Sequence, residues 1–216
     1  MTDRKLSPAD EFDKALTAHA DEFGVRLGVE DRARLRVYYS LVLSWNPRLH
    51  LVAPCPPAEF ATRHVLESLL AIPFLDEGAR VLDVGSGAGL PIIPCLVLRP
   101  DIRATLYESS RKKSVFLGEA LRRIGAHERA SVHAERFQNN IAPEADFLTC
   151  RALERFTETL PELFEWSSSV ETLLLFGGPG LREQIERLAP SLTTVRVPAT
   201  ERRSLFVVHR NPAPPN

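Results

Sequence analysis

VLDVGSGAGLPIIP, Val81 to Pro94, runs from an apolar stretch through Asp83 into glycines at positions 85, 87 and 89, then into two prolines. Apolar residues followed by bare backbone and then by LPIIPCLVL read as a strand, a tight turn and a helix. Gly85 and Gly87 permit positive φ and the close approach of a ligand, and Gly89 permits tight packing of helix on strand. Leu90 and Pro91 stand where a P-loop would close with Gly-Lys-Ser/Thr, so the turn is not built for a nucleotide triphosphate. A dinucleotide turn reads G-x-G-x-x-G and offers helix N–H groups to a pyrophosphate, whereas this one reads G-x-G-x-G and Pro91 has no N–H. Asp83 is expected to aim a carboxylate at the loop, which repels pyrophosphate and attracts a cation. S-adenosylmethionine carries an ammonium and a sulfonium and no phosphate. An acidic residue closing the second strand, about 20 residues past the loop, accepts hydrogen bonds from ribose hydroxyls, and Glu108 ends ATLYE at that place. The competing role for Glu108 is a carboxylate beside a helix start, favoured by the helix dipole. Asp83, the glycine turn and Glu108 together point to S-adenosylmethionine as the cofactor.

Outward from this stretch, short apolar segments alternate with helical ones. Strands are expected at ARVLDVG, RATLYES, ASVHA, ADFLTCRAL, VETLLLF, LTTVRVP and RSLFVVHR. Helices are expected at LPIIPCLVLRP and RKKSVFLGEALRRIG and around LERFTETLPELFEW and GLREQIERLA. Such alternation gives an α/β fold with a parallel sheet covered on both faces. No helix separates the last two strands, so at least one should run antiparallel. Before position 77 the pattern is helical, with Leu35, Tyr38, Tyr39, Val42 and Leu43, and then Phe60, His64, Val65, Leu69 and Leu70, at helical spacing. Pro8 and Pro57 suit helix starts, and Gly24 and Pro73 suit stops. The expected organisation is an N-terminal helical cap (1–76), a main domain (77–210) and a disordered tail (211–216).

With 44% hydrophobic and 25% charged residues the chain is an ordinary globular one. No apolar run approaches the ~20 residues of a membrane span, and the polar N-terminus lacks a secretory pattern, so the expected location is the cytoplasm. Its three cysteines, Cys55, Cys95 and Cys150, form no CxxC pair and no zinc pattern, so no metal is expected. A net charge of -1 does not advertise a nucleic-acid binder. The distribution says more: arginines gather at Arg32–Arg36, Arg48–Arg63, Arg111–Lys113, Arg122/Arg123 and Arg202/Arg203, and arginine suits bidentate phosphate contacts. Solvated helix faces with Glu–Arg pairs are the alternative.

The segments WNPRLHLV (45–52), RHVLES (63–68), VLDVGSGAGLPIIP (81–94), LYESSRKKSVFL (106–117), TCRAL (149–153) and RRSLFVVHR (202–210) resemble the ribosomal RNA small subunit methyltransferase G family, also called glucose-inhibited division protein B. RH-x-L-x-S before D-V-G-S-G-A-G-x-P, with K-K-x-x-F-L after the second strand, is the specific combination. The resemblance covers nearly the whole chain. It implies a Rossmann-like class I S-adenosylmethionine-dependent methyltransferase, with a seven-stranded, mostly parallel sheet under the helical cap. It also implies transfer of a methyl group to N7 of a guanine in 16S rRNA, as RNA or within a small-subunit assembly particle. A monomer is the default expectation. Carried over by position, Gly85 and Leu90 line the cofactor, Glu108 meets its ribose and Phe137–Gln138 lies by its adenine. Arg151 sits at the active-site end of the fourth strand and completes the cofactor set with Asp83, Gly87 and Gly89. Four places depart from the family pattern: His50–Val52 for N-L-T, Ile92 for the glycine of P-G-I-P, Phe137–Gln138 for A-E or V-E, and Leu175-Phe176-Gly177 for L-K-G.

Guanine N7 has a free lone pair, so in-line displacement at a sulfonium methyl needs no general base, and positioning and electrostatics can carry the rate. The positioning candidates are Arg151, Arg63 and His64. Candidates to hold the RNA are Arg63, His64, Lys112 and Lys113, which are expected to border one cleft with Arg151. Lys112 and Lys113 open a helix, where the dipole disfavours cations unless an anion joins them. Structural alternatives stand beside these. His64 can pack its ring at the domain junction, and Arg151 can form a salt bridge to Glu154 or Asp83. Trp45-Asn46 can serve a base, or Trp45 can pack in the cap. Cys150 reads as a small buried residue rather than a nucleophile. Other functions compatible with the pattern are a methyltransferase for another RNA or a small molecule, and a cofactor-binding ribosome-associated factor without catalysis.

Overall fold

The computed structural model describes residues 6–151, 156–189, 191–198 and 200–210. Seven strands form: β1 (Arg80–Val84), β2 (Arg103–Tyr107), β3 (Ala130–His133), β4 (Phe147–Arg151), β5 (Thr172–Gly177), β6 (Leu192–Arg196) and β7 (Ser204–His209). They build one sheet in the order β3-β2-β1-β4-β5-β7-β6. The first five strands pair in parallel, and β7 runs antiparallel to both β5 and β6. The missing helix before β7 has the consequence expected of it. The seven expected strands all form, although Ala152 and Leu153 of ADFLTCRAL, and the tail 211–216, lie outside the described residues.

Helices α5 (Ile92–Leu98), α6 (Arg111–Arg123), α7 (Phe156–Trp166) and α8 (Pro179–Leu188) connect the strands. Because β1 carries Val81 and Leu82 on opposite faces, each face needs its own apolar cover. One core joins Val81, Leu106 and Val207 to α5 and α6, and the other joins Leu82, Leu148 and Val208 to α7 and α8.

The first core does not stop at the sheet helices. It runs on into α1 (Pro8–His19), α2 (Val29–Leu49) and a helical run of three pieces, α3 (Pro57–Glu59), Phe60–Leu66 and α4 (Glu67–Leu69). Ser7 caps α1 in a capping box with Asp10, Pro8 takes the first helical position, and Gly24 stops the following turn at φ 66°. Phe12, Tyr39 and Phe60 pack as a ring cluster, with Phe12 and Tyr39 stacked at 4.3 Å. Helical spacing placed Leu43 in this core, but it faces out, because Leu35, Tyr38, Tyr39 and Val42 already fill the buried stripe of α2. The segment Phe60–Leu66 is π-helical, its widened turns closing with the Glu67 N–H on the Thr62 carbonyl. Thus Phe60 stays in the ring cluster while Glu67 reaches the carboxyl end of β4.

Candidate active site

The glycine turn leaves β1 with Gly85, Gly87 and Gly89 at φ 70°, 54° and 87°. Its N–H groups are spoken for one after another: Gly85 and Ser86 donate to the Tyr107 carbonyl at 2.9 and 3.1 Å, and Gly87 to the Glu108 carboxylate at 2.8 Å. The other Glu108 oxygen accepts the Ser110 N–H at 2.8 Å, and Ser110 caps α6. Glu108 is buried and ties the turn to the end of β2 and the start of α6. A carboxylate has about four acceptor positions, and these two bonds leave the rest for a ligand. Of the two roles expected of Glu108, the place beside a helix start is the one these contacts describe. At Gly89 a Cβ would lie 2.3 Å from Ile93 Cδ1 and 3.2 Å from Leu117, so only glycine lets α5 and α6 close on the turn. The Tyr38 hydroxyl of α2 donates to the Ala88 carbonyl at 2.8 Å and fastens the cap to the same turn.

Asp83 does not aim a fixed charge at the loop. Parallel pairing sets it beside Thr149 on β4, whose hydroxyl donates to its Oδ1 at 2.6 Å, and its Oδ2 has no hydrogen-bond partner among the described residues. Burial pushes its pKa up to about 7, the Ser86 and Thr149 hydroxyls oppose the rise, and Glu108 adds to it. Near neutrality the group exchanges a proton, and a cation placed beside it would drive that proton off.

In front of the turn lies a cleft of about 590 Å³ whose lining includes Gly85, Tyr107, Glu135, Phe137, Gln138 and Glu162. Trp166 stands edge-on to both Tyr107 and Phe137, at 5.3 and 5.2 Å, and the Gln138 amide donates to Glu162 at 2.9 Å. The cleft thus offers the largely buried Tyr107 and Phe137, acidic groups and the Tyr107–Ser109 end of β2. Leu90 is buried in the apolar core.

Arg151 ends β4 without an ion pair to Asp83, and Glu154 lies outside the described residues. It bonds Glu67 at 3.3 Å and the Arg63 carbonyl at 2.9 Å, with its guanidinium over the Phe176 ring at 5.9 Å. Glu67 also takes Arg203 at 2.9 Å, so one buried carboxylate holds two arginines. Arg63 itself is exposed and pairs with Glu59 at 2.8 Å. His64 packs its ring on Phe60 at 5.1 Å. Burial pushes its pKa down to about 3, with Arg151 and Arg63 adding to the fall, so the ring is neutral at physiological pH. Lys112 and Lys113 form no ion pair among the described residues. Lys112 lies on a groove with Trp45, Arg48 and Val115. The expected single cleft of basic candidates divides into two groups, one around Glu67 and one at the start of α6. Trp45 packs edge-on to Phe116 at 5.8 Å and Asn46 exchanges two hydrogen bonds with the Val52 backbone, so both serve the cap. Cys95 and Cys150 are buried, and no group of side chains suited to a metal occurs among the described residues.

A family model described as rRNA small subunit methyltransferase G matches residues 31–205. The chain belongs to this family. Ribosomal RNA small subunit methyltransferase G of Sorangium cellulosum (strain So ce56) is 33% identical over 187 residues, covering 83% of this chain and 76% of that one. The protein of the same name from Pseudomonas aeruginosa (strain LESB58) is 41% identical over 102 residues, about half of each chain at 47% and 48%. A crystal structure from Streptococcus pneumoniae, described as a candidate tRNA (m1A22) methyltransferase, shares the fold. It has a TM-score of 0.52 at 21% identity and covers 68% of this chain and 70% of its own. The resemblance, the Rossmann-like sheet and the methyltransferase class are therefore borne out.

Within the methyltransferase G family pattern, the departing positions have definite places. Phe176 is buried under Arg151 and supplies a ring where a lysine was expected, and Ile92 is fully buried. Three contributors to the site were not singled out from the sequence of this methyltransferase G member. Tyr38 reads as one more apolar helix position, and Thr149 gains its role only when β4 pairs with β1. Glu67 had a signal: a lone carboxylate inside the apolar run HVLESLLA is costly to bury unless paired.

Proposed function

We propose that this chain transfers the methyl group of S-adenosylmethionine to N7 of a guanine in 16S rRNA, working in the cytoplasm as a monomer on a small-subunit assembly particle. One observation carries the cofactor: the Glu108 carboxylate is pinned against the glycine turn by two backbone N–H groups beside a cleft lined by Tyr107 and Phe137. That cleft opens where chain order reverses between β1 and β4, the place at which open α/β sheets bind nucleosides. The donor set suits the group, since Glu108 keeps acceptor capacity for ribose hydroxyls and the Asp83 Oδ2 atom is buried without a partner near the turn. The acidic residues Glu135 and Glu162 and the absence of any lysine or arginine but Arg136 among the cleft lining favour a cationic ligand over a phosphate.

When bound, S-adenosylmethionine supplies an electrophilic methyl group on a sulfonium. The chain's own residues hold and exclude. Gly85 and Gly87 let the turn come close, Glu108 orients the ribose, Phe137 and Gln138 border the base, and Asp83 answers positive charge by giving up its proton. Arg151 is held by Glu67 and acts by position and field, with Arg63 at the rim. His64, neutral across the working range, can accept or donate a hydrogen bond but moves no net proton. N7 needs no base, and none is present in this arrangement of roles.

The test is transfer of a labelled methyl group from S-adenosylmethionine to small-subunit particles that lack the modification, with the product base mapped. Label on a guanine N7 is the expected result. Cofactor binding with no labelled base would leave a non-catalytic factor, and label on another base or molecule would replace the substrate.

A further inference from the structure

We infer that a second cavity at the carboxyl end of the sheet holds a backbone phosphate of the RNA that presents the target base. The inference rests on the RNA methyltransferase function proposed above. The cavity, of about 410 Å³, is lined by Arg182, Arg196, Arg202 and Arg203, with the hydroxyl residues Thr194 and Thr200 among them, and Glu201 is the acidic residue in its lining. In a chain whose net charge is -1, four guanidinium groups in one cavity are a local concentration of charge that the whole molecule lacks.

Two of the four are already committed: Arg182 pairs with Glu186 at 2.8 Å and Arg203 with Glu67 at 2.9 Å. The other two, Arg196 and Arg202, are exposed and have no ion pair or side-chain hydrogen bond among the described residues. Their backbone is held in place. The Val197 N–H meets the Arg203 carbonyl at 3.4 Å, the Arg202 N–H meets Thr200 Oγ1 at 3.2 Å, and the Arg202 carbonyl presses against Gly178, where a Cβ would lie only 3.0 Å away. Guanidinium forks and threonine hydroxyls form the donor set that phosphate oxygens accept best.

The position says which phosphate. Arg196 ends β6 opposite Ser204, Gly177 ends β5 opposite the same Ser204, and Arg151 ends β4 opposite Phe176. Three strand spacings separate Arg151 from Arg196, roughly 14 Å, a reach suited to a phosphate flanking the target nucleotide. Arg203 joins both places, because the residue lines the cavity while its guanidinium bonds the Glu67 that holds Arg151.

The test compares the full chain with R196A/R202A, with R196K/R202K, and with K14A/R26A, which removes two exposed charges from the cap. Methyl transfer to unmodified small-subunit particles is followed against salt, beside cofactor affinity by calorimetry. For R196A/R202A, KM for the particle should rise about tenfold at low salt and the salt slope of log(kcat/KM) should become shallower by about 1–2. Cofactor affinity and kcat should stay within about twofold, the lysine pair should recover part of the loss, and the cap control should match the wild type. An unchanged KM and salt slope in R196A/R202A, with the wild type active, overturns the inference. So does protection of the protein by inorganic phosphate that depends on Arg196 and Arg202 while particle kinetics stay wild-type, since that marks a free-anion site. If the wild type methylates no particle, the proposed function fails instead, and the salt dependence of particle binding by the same variants still decides the cavity.

Discussion

Asp83 is the side chain whose chemistry is most altered by its surroundings. Unfolded, it ionises near 3.8, and folded it keeps its proton to about 7. A group whose folded pKa is raised contributes stability that is complete below the unfolded value and is lost as pH rises through the folded one. Urea unfolding of the wild type and D83N should therefore diverge between about pH 4 and pH 7, the asparagine variant gaining relative stability as pH rises. A constant difference across that range would mean that Asp83 is ionised when folded. His64 works in the opposite sense. Its folded pKa lies below the unfolded value, so its contribution is complete above 6.5 and is lost as pH falls toward 3. Cofactor binding adds a second readout: at pH 6.5 a cationic ligand should expel up to about one proton, visible by calorimetry in buffers of different ionisation heat. D83N should release none.

At the scale of the turn and its helices, the glycines of GSGAG divide by what surrounds them. Gly89 needs both its φ of 87° and its missing Cβ, because Ile93 and Leu117 stand within 3.2 Å of where one would be. Gly87 needs only its φ of 54°, with the nearest atom at 3.7 Å. Gly89→Ala should cost about 2–5 kcal/mol and Gly87→Ala about 1 kcal/mol, read from urea midpoints. Equal costs would mean that the packing around Gly89 yields. This turn, and the strands beside it, were legible because a period-two apolar run and bare backbone are local signals. The behaviour of Asp83 was not, since its partner Thr149 lies 66 positions away and reaches it only through strand pairing. Leu43 fits helical spacing as well as Val42 does, and only the finite width of the buried stripe on α2 excludes it.

Across the whole molecule, one apolar core passes from Phe12 through Tyr38 and Leu66 to Val81 and Val207, so the N-terminal helices are expected to unfold together with the sheet. The chain carries two tryptophans, and they report on opposite parts: Trp45 on α2 against Phe116, and Trp166 on α7 against Tyr107 and Phe137. Single-tryptophan variants should unfold in urea with coincident midpoints. Separate midpoints would make residues 1–76 an independent unit after all. The lone Glu67 in its apolar run signalled a buried pair, but not which partner, because Arg203 meets it across 136 positions. The π-helical stretch from Phe60 to Leu66 sets the phase between those two loyalties, as a spare tooth sets one gear against another. Rewinding that segment to ordinary pitch with all 7 of its residues kept would turn everything after it by about 100°. Either Phe60 would leave its aromatic neighbours or Glu67 would swing away from both arginines. The pitch of that short segment, more than the identity of any residue in it, keeps the helical roof in register with the carboxyl edge of the sheet beneath.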